Sequence, residues 1–164
     1  MEITELTDFS DITDLRDVIA EYMRTLPFDI SYQSPEKELE DLSAQYSYAV
    51  GGAIFIAEEQ GKIAGCVAVK KIGDQICEMK RLYVRPAFRG RKLGQQLADT
   101  IVKKAAQLGN ERMYLDTHRE AQAVAIAMYR KMGFRECADY HANPGKLLCL
   151  ELDLTEIKNN HIDT

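Results

Sequence analysis

The chain has 164 residues, enough for one domain with its own core, and its 46% apolar and 29% charged residues are the balance of an ordinary globular protein. A formal charge of −5 disfavours broad binding to nucleic acid, and no apolar run approaches the roughly 20 residues of a membrane span. The start, Met1-Glu-Ile-Thr-Glu, lacks the basic and apolar blocks of a signal peptide, so a cytoplasmic location is expected. Cys66, Cys77, Cys137 and Cys149 form no C-x-x-C pair and lie in or beside apolar strand patterns. They read as small buried hydrophobes, not as a disulfide frame or zinc site. His118, His141 and His161 show no ligand spacing, so no metal is expected.

Residues 2 to 6 alternate enough for a first strand. Ile12, Leu15, Ile19, Tyr22 and Met23 recur at helical spacing and predict a helix from about Asp11 to Arg24, capped by Ser10 or Asp11 and ended by Pro27. Ser34-Pro35-Glu36 joins a capping serine, a proline at the first helical position and acids in the first turn. It predicts a second helix to about Tyr46, with Leu39, Leu42 and Tyr46 inward. Ala53 to Glu59 and Lys62 to Ile72 flank Gln60-Gly61 and read as a hairpin. Gly73-Asp74 then turns the chain into a strand from Ile76 to Val84, which Pro86 stops. A helix with Leu93, Leu97, Ile101, Ala105 and Leu108 on one side ends at Gly109. There follow a strand at Arg112 to Thr117 and a helix at Ala121 to Met132, with Ala121, Ala125, Met128 and Met132 on one side. A strand at Phe134 to Cys137 and another at Lys146 to Leu154 close the sheet. The polar tail, 155 to 164, is expected to fray. Hairpins mixed with helical crossovers predict a mixed sheet in a single domain, 1 to 154, covered by helices on both sides.

The segment between the fourth strand-like run and the long helix carries the chemistry. Arg89, Arg91 and Lys92 crowd around Gly90, and Gly94 lies in the helix's first turn. A helix start offers unpaired N–H groups and partial positive charge, glycine lets a bulky group approach, and the cations add to both, which suits a phosphate. From charge alone, a solvated basic turn explains the same residues equally well. The basic cluster from 80 to 92 is local against an acidic background, and favours a small anionic ligand over a duplex.

The run Arg89-Gly-Arg-Lys-Leu-Gly94 resembles the acyl-CoA signature of the GNAT N-acetyltransferase superfamily, Arg/Gln-x-x-Gly-x-Gly/Ala, with Lys92 standing where the first glycine is usual. Glu78-Met-Lys-Arg-Leu-Tyr-Val84 resembles that superfamily's central strand, and Ala125-Ile-Ala-Met-Tyr-Arg-Lys-Met-Gly-Phe134 its later helix and turn. The likeness covers most of residues 50 to 154. It implies an α/β (α+β) fold with a central mixed, mostly antiparallel twisted sheet of about seven strands flanked by four helices. It implies a splay between the strand ending at Val84 and that beginning at Arg112, where a pantetheine arm enters. It implies acetyl-CoA as cosubstrate, with pyrophosphate on the backbone of Arg89, Gly90, Arg91, Lys92, Leu93 and Gly94. Pantetheine would lie along the backbone of Leu82, Tyr83 and Val84, and Gln122 would stand where relatives place a cofactor-bonding asparagine.

Amine acetylation poses a proton problem at each end. An alkylamine has a pKa of about 10.4, so few molecules are neutral at pH 7. The attacking nitrogen must lose a proton and the departing sulfur must gain one. Glu78 matches the family's catalytic strand position; the same residue reads equally as a carboxylate paired with Lys80 or Arg81. Tyr129 matches the tyrosine that serves as general acid, and otherwise reads as a core aromatic. Asp116 and His118 end the next strand near the expected thioester, with His118 a fallback base. Tyr22, Phe28, Tyr32 and the Tyr140-to-Gly145 loop are expected to line the acceptor pocket, and Arg81, if it faces the pocket, to hold an acceptor carboxylate. The expected acceptor is a primary amine of a small molecule or amino acid. A protein or peptide amine and a non-catalytic acyl-CoA sensor are the alternatives. The chain lacks the Gly-Lys-Ser/Thr of a P-loop. Monomer and sheet-edge homodimer are both compatible with the sequence.

Overall fold

A computed structural model describes residues 1–27, 34–138 and 147–160, the side chains of 158–160 apart. Strand β1 (Glu2–Glu5) leads into helix α1 (Thr13–Thr25), then two short helices, α2 (Pro35–Glu40) and α3 (Leu42–Tyr46). Strands β2 (Ala53–Glu59), β3 (Lys62–Gly73) and β4 (Ile76–Val84) follow without a helix between them. Helix α4 (Leu93–Gln107), strand β5 (Arg112–His118), helix α5 (Ala123–Lys131), strands β6 (Arg135–Glu136) and β7 (Leu147–Asp153) and helix α6 (Thr155–Asn160) complete the order. The seven strands form one sheet in the order β1-β2-β3-β4-β5-β7-β6. Every pairing is antiparallel except β4 with β5.

Side-chain alternation divides the core between the two faces of this sheet. One face carries Val67, Val69, Cys77, Met79, Met113, Leu115, Leu148, Leu150 and Leu152, packed under Leu93, Leu97, Ile101 and Ala105 of α4 and Ile126 and Tyr129 of α5. The other carries Ile54, Cys66, Ala68 and Tyr83 under Leu15, Val18 and Ile19 of α1 and Leu42 and Tyr46 of α3. Gly65 is required by the sheet itself: a β-carbon there would lie 2.6 Å from the carbonyl oxygen of Tyr83.

Four expectations are corrected. The predicted second helix is two helices, because Asp41 (φ −146°) leaves helical geometry and caps the second, accepting from the Ala44 N–H at 3.1 Å and from the Ser43 hydroxyl at 2.6 Å. Ser34 takes a left-handed conformation and makes no side-chain cap, so Pro35 and the first-turn acids mark the start. The buried stripe of α5 is Ile126 and Tyr129, with Ala125, Met128 and Met132 flanking it. The tail opens with α6 instead of fraying at Thr155. Asp153 accepts from the N–H and hydroxyl of Thr155 at 2.9 and 2.6 Å, and Ile157 packs on the core. The described residues therefore hold six α-helices where four were expected.

Two breaks in strand pairing shape the centre. β4 pairs with β5 only through Ile76, Cys77 and Glu78, opposite Arg112, Met113 and Tyr114. Beyond that point the strands diverge, as the splay expected from the sequence. On its other side β4 carries a bulge: Ala68 faces Lys80 and Cys66 faces Tyr83, so Val67 opposes both Arg81 and Leu82. Arg81 occupies the bulge at φ +59°, a conformation that costs a non-glycine residue on the order of 1 kcal/mol.

Candidate active site

The diverging strands open a cleft of about 840 Å³. One wall is β4 from Met79 to Val84, the other is β5 from Leu115 to Thr117 with the start of α5. The loop and first turn of α4, Arg89 to Gln95, close one end, and the end of α1, Tyr22 to Pro27, lies across the other. No strand stands beside β4 from Met79 onward on the β5 side among the described residues. That edge of backbone is open to an extended ligand.

The α4 end is built for anions. Pro86 stops β4 and starts a single turn, Pro86–Phe88. Lys92 then caps α4 in left-handed geometry, φ +58°. The first helical hydrogen bond is donated by Gln96 to the Lys92 carbonyl at 3.2 Å. The N–H groups of Leu93, Gly94 and Gln95 precede that bond, and all three residues line the cleft end. Gly94 is the telling position. A β-carbon there would meet only Val84 Cγ2, at 3.8 Å. Nothing among the described residues requires glycine, and Gly94 lines the cleft, where a phosphate would need room. Arg89 donates to the Val84 carbonyl at 3.0 Å and its guanidinium lies 6.0 Å from the Tyr83 ring centre, beside the cleft. Arg91 turns away: it pairs with Glu59 and lies over Phe88, outside the cleft wall. The residues thus fit a pyrophosphate at Gly90, Lys92, Leu93 and Gly94 with Arg89 beside it.

The middle of the cleft is aromatic and polar. Tyr129 is buried at the wall, its ring centre 5.5 Å from that of Phe134. Burial pushes its phenol well above the usual tyrosine value, so it holds its proton. Tyr22 reaches in from α1, tilted against Tyr83 with 5.2 Å between ring centres. Burial raises its phenol too, while a hydrogen bond from Gln122 and the charge of Arg81 oppose the rise. Gln122 Nε2 lies 3.5 Å from the Tyr22 hydroxyl, and Thr117 donates to Gln122 Oε1.

Glu78 and His118 lie outside this wall. Glu78 is 3% exposed, at the last paired step of β4, with Lys80 Nζ 3.7 Å from its carboxylate. His118 accepts from the Ala121 N–H through Nδ1 at 3.1 Å, an arrangement that fixes the turn into α5. Arg81 lines the cleft, but Glu38 engages its guanidinium through bonds of 2.8 and 3.1 Å. Its charge is neutralised within the protein, which removes the basis for expecting it to hold an acceptor carboxylate. Phe28, Tyr32 and Tyr140 lie outside the described residues. Leu82, Tyr83, Val84 and Gln122 all join the cleft wall.

The sequence reading missed Glu38 and took Lys80 only as a partner for Glu78. Glu38 is buried, bonded to both Arg81 and the Tyr46 hydroxyl, the latter at 2.7 Å. Its signal was its spacing of four and eight residues before the inward Leu42 and Tyr46, which places it on the apolar side. Lys80 is half-buried in the wall; desolvation, then the neighbouring charge of Arg81, push its ammonium below the usual lysine value. Among the described residues no cluster of His, Cys, Asp or Glu is placed to hold a metal, and no helix is long and apolar enough to cross a membrane.

Comparison with known proteins agrees with this fold. The family model for the acetyltransferase (GNAT) family matches residues 15–134. An uncharacterised N-acetyltransferase of Schizosaccharomyces pombe is 36% identical over 135 residues, 82% of each chain. An acetyltransferase of the GNAT family from Staphylococcus aureus superposes with a TM-score of 0.74 at 20% identity, covering 94% of this chain and all of that one. YncA of Salmonella typhimurium, solved with its cofactor acetyl-CoA, superposes with a TM-score of 0.67 at 20% identity, over 94% and 95% of the two chains.

Proposed function

The chain belongs to the GNAT acetyltransferase family, and from that premise we propose that it moves the acetyl group of acetyl-CoA to a primary amine by direct attack, with both held in the cleft. One observation carries the reading. A cation-flanked helix start with a vacant glycine face, an open strand edge and a buried protonated phenol all lie on one cleft.

Acetyl-CoA supplies a thioester, an acyl group already activated towards amines. The chain's own residues supply position and proton control. The N–H groups at the start of α4, with Arg89 and Lys92, hold the diphosphate. The β4 backbone at Leu82, Tyr83 and Val84 offers strand-like bonds to an extended arm, and one of these N–H groups would polarise the carbonyl oxygen. The buried Tyr129 phenol keeps its proton at neutral pH and can give it to the departing sulfur. The amine approaches from the α1 side, past Tyr22, where carboxylates of the sheet can take up its proton. Glu78 and Asp116 both occupy that face, since Glu78 pairs with Tyr114, two residues before Asp116 on β5. The acceptor is a small amine, with Tyr22 as the aromatic part of its pocket.

The cradle is tested by calorimetry of CoA with wild type and Gly94→Asp. The substitution adds bulk and negative charge at the helix start, and the expected result is at least a tenfold loss of affinity, about 1.4 kcal/mol. Unchanged affinity in a folded variant would place the phosphates elsewhere.

A further inference from the structure

We infer that Asp116 on β5, and not Glu78 on β4, accepts the proton that the attacking amine gives up. The inference rests on the acetyl-transfer reading above. A base for this reaction must reach the gap between β4 and β5, because that is where the cleft has room for the reacting atoms. The ladder between the strands ends at the pair Glu78 and Tyr114. Glu78 therefore sits at the closed root of the gap, buried, outside the cleft wall and facing Lys80. Asp116 lies two residues further along, about 6.6 Å at the usual rise of a strand, and forms part of the wall.

Strand alternation fixes the side on which Asp116 acts. Leu115 belongs to the core under α4 and α5, and the Thr117 hydroxyl bonds Gln122 at the start of α5. Asp116 faces the opposite way, towards α1, and its charge is felt by the Tyr22 phenol. Tyr129 belongs to α5, on the other face. Proton acceptor and proton donor thus flank the opening from opposite sides of the sheet, and neither can quench the other directly. In the step itself the amine nitrogen bonds to the carbonyl carbon and the carbon–sulfur bond breaks. The N–H proton passes to the Asp116 carboxylate, directly or through water, and Tyr129 gives its proton to the sulfur. Exchange with solvent then restores both groups. Several other charged or titratable groups share this face. Tyr22 comes from α1 and Glu78, Lys80 and Arg81 from β4. Tyr114 and His118 lie on β5 itself, and Cys149 stands opposite Asp116 on β7.

The test measures thiol release from acetyl-CoA against pH for wild type, Asp116→Asn and Glu78→Gln. It uses whichever amine of a primary-amine panel wild type turns over fastest, with acetyl-CoA affinity followed by calorimetry. Asp116→Asn is expected to lower kcat by about 10²–10⁴, to lose the acidic limb of the profile and to keep acetyl-CoA affinity. Glu78→Gln is expected to retain that limb. Added formate should restore part of the rate to Asp116→Gly, which a structural role would not allow, and Asp116→Glu serves if the asparagine variant does not fold. A lost limb in Glu78→Gln with a normal Asp116→Asn, or equal losses in both, overturns the assignment and leaves acetyl transfer standing. No amine-dependent release by wild type overturns both.

Discussion

Lys92 shows how a single backbone angle decides what a residue is doing. The position takes φ +58°, where glycine is at ease and a lysine is not. A left-handed non-glycine residue costs roughly 1–2 kcal/mol, whereas replacing it with glycine loses only about 0.4–1 kcal/mol through the freer unfolded chain. Lys92→Gly should therefore raise stability by up to about 1.5 kcal/mol in urea denaturation and weaken CoA binding through the lost cation. Lower stability would mean that the lysine makes contacts that outweigh the strain. The lysine that stands where the signature's first glycine is usual is accommodated without a change of backbone. Lys92 keeps the glycine conformation and lines the same cleft end. Motif spacing could locate this position, but the angle it adopts is a property of the folded loop.

At the level of elements, the buried pair of Glu38 and Arg81 fastens α2 to the bulge of β4. Burial alone would raise the Glu38 carboxyl; hydrogen bonds and charge from Arg81, with the Tyr46 hydroxyl, outweigh it and hold the carboxyl below its ordinary value. A carboxyl lowered in this way adds stability that is fully present above its unfolded value, about 4.5, and is lost as pH falls through the folded one. Glu38→Gln strands a buried guanidinium and should cost about 3–5 kcal/mol at neutral pH, by denaturation. The gap to wild type should narrow below pH 4.5; parallel curves would show that the pair does not titrate. This element-scale feature was only half legible. The periodicity of Leu39, Leu42 and Tyr46 gave the inward side of the helical region, but it ran through Asp41, whose cap breaks the helix in two. Tertiary pairing chose the partner of Glu38, from 43 residues away, and no local pattern encodes that choice.

For the whole molecule, the strand and helix order was legible because hairpin turns, Pro86 and Gly109 punctuate strongly periodic runs. The splay was legible only through family likeness, since nothing in the composition of β4 or β5 says where their ladder stops. The same limit explains Glu78 and Asp116. Both are acids in apolar strands, and the last paired residue, visible only in the assembled sheet, separates the one at the root from the one in the open cleft. The most direct test of the account is thiol release from acetyl-CoA over a panel of primary amines, comparing wild type with Tyr129→Phe. The account predicts amine-dependent release by wild type, matched by N-acetylated product. It also predicts a fall of about 10²-fold or more in turnover for Tyr129→Phe with acetyl-CoA affinity unchanged. Tight acetyl-CoA binding without release for any amine, or equal turnover in the two proteins, would contradict it.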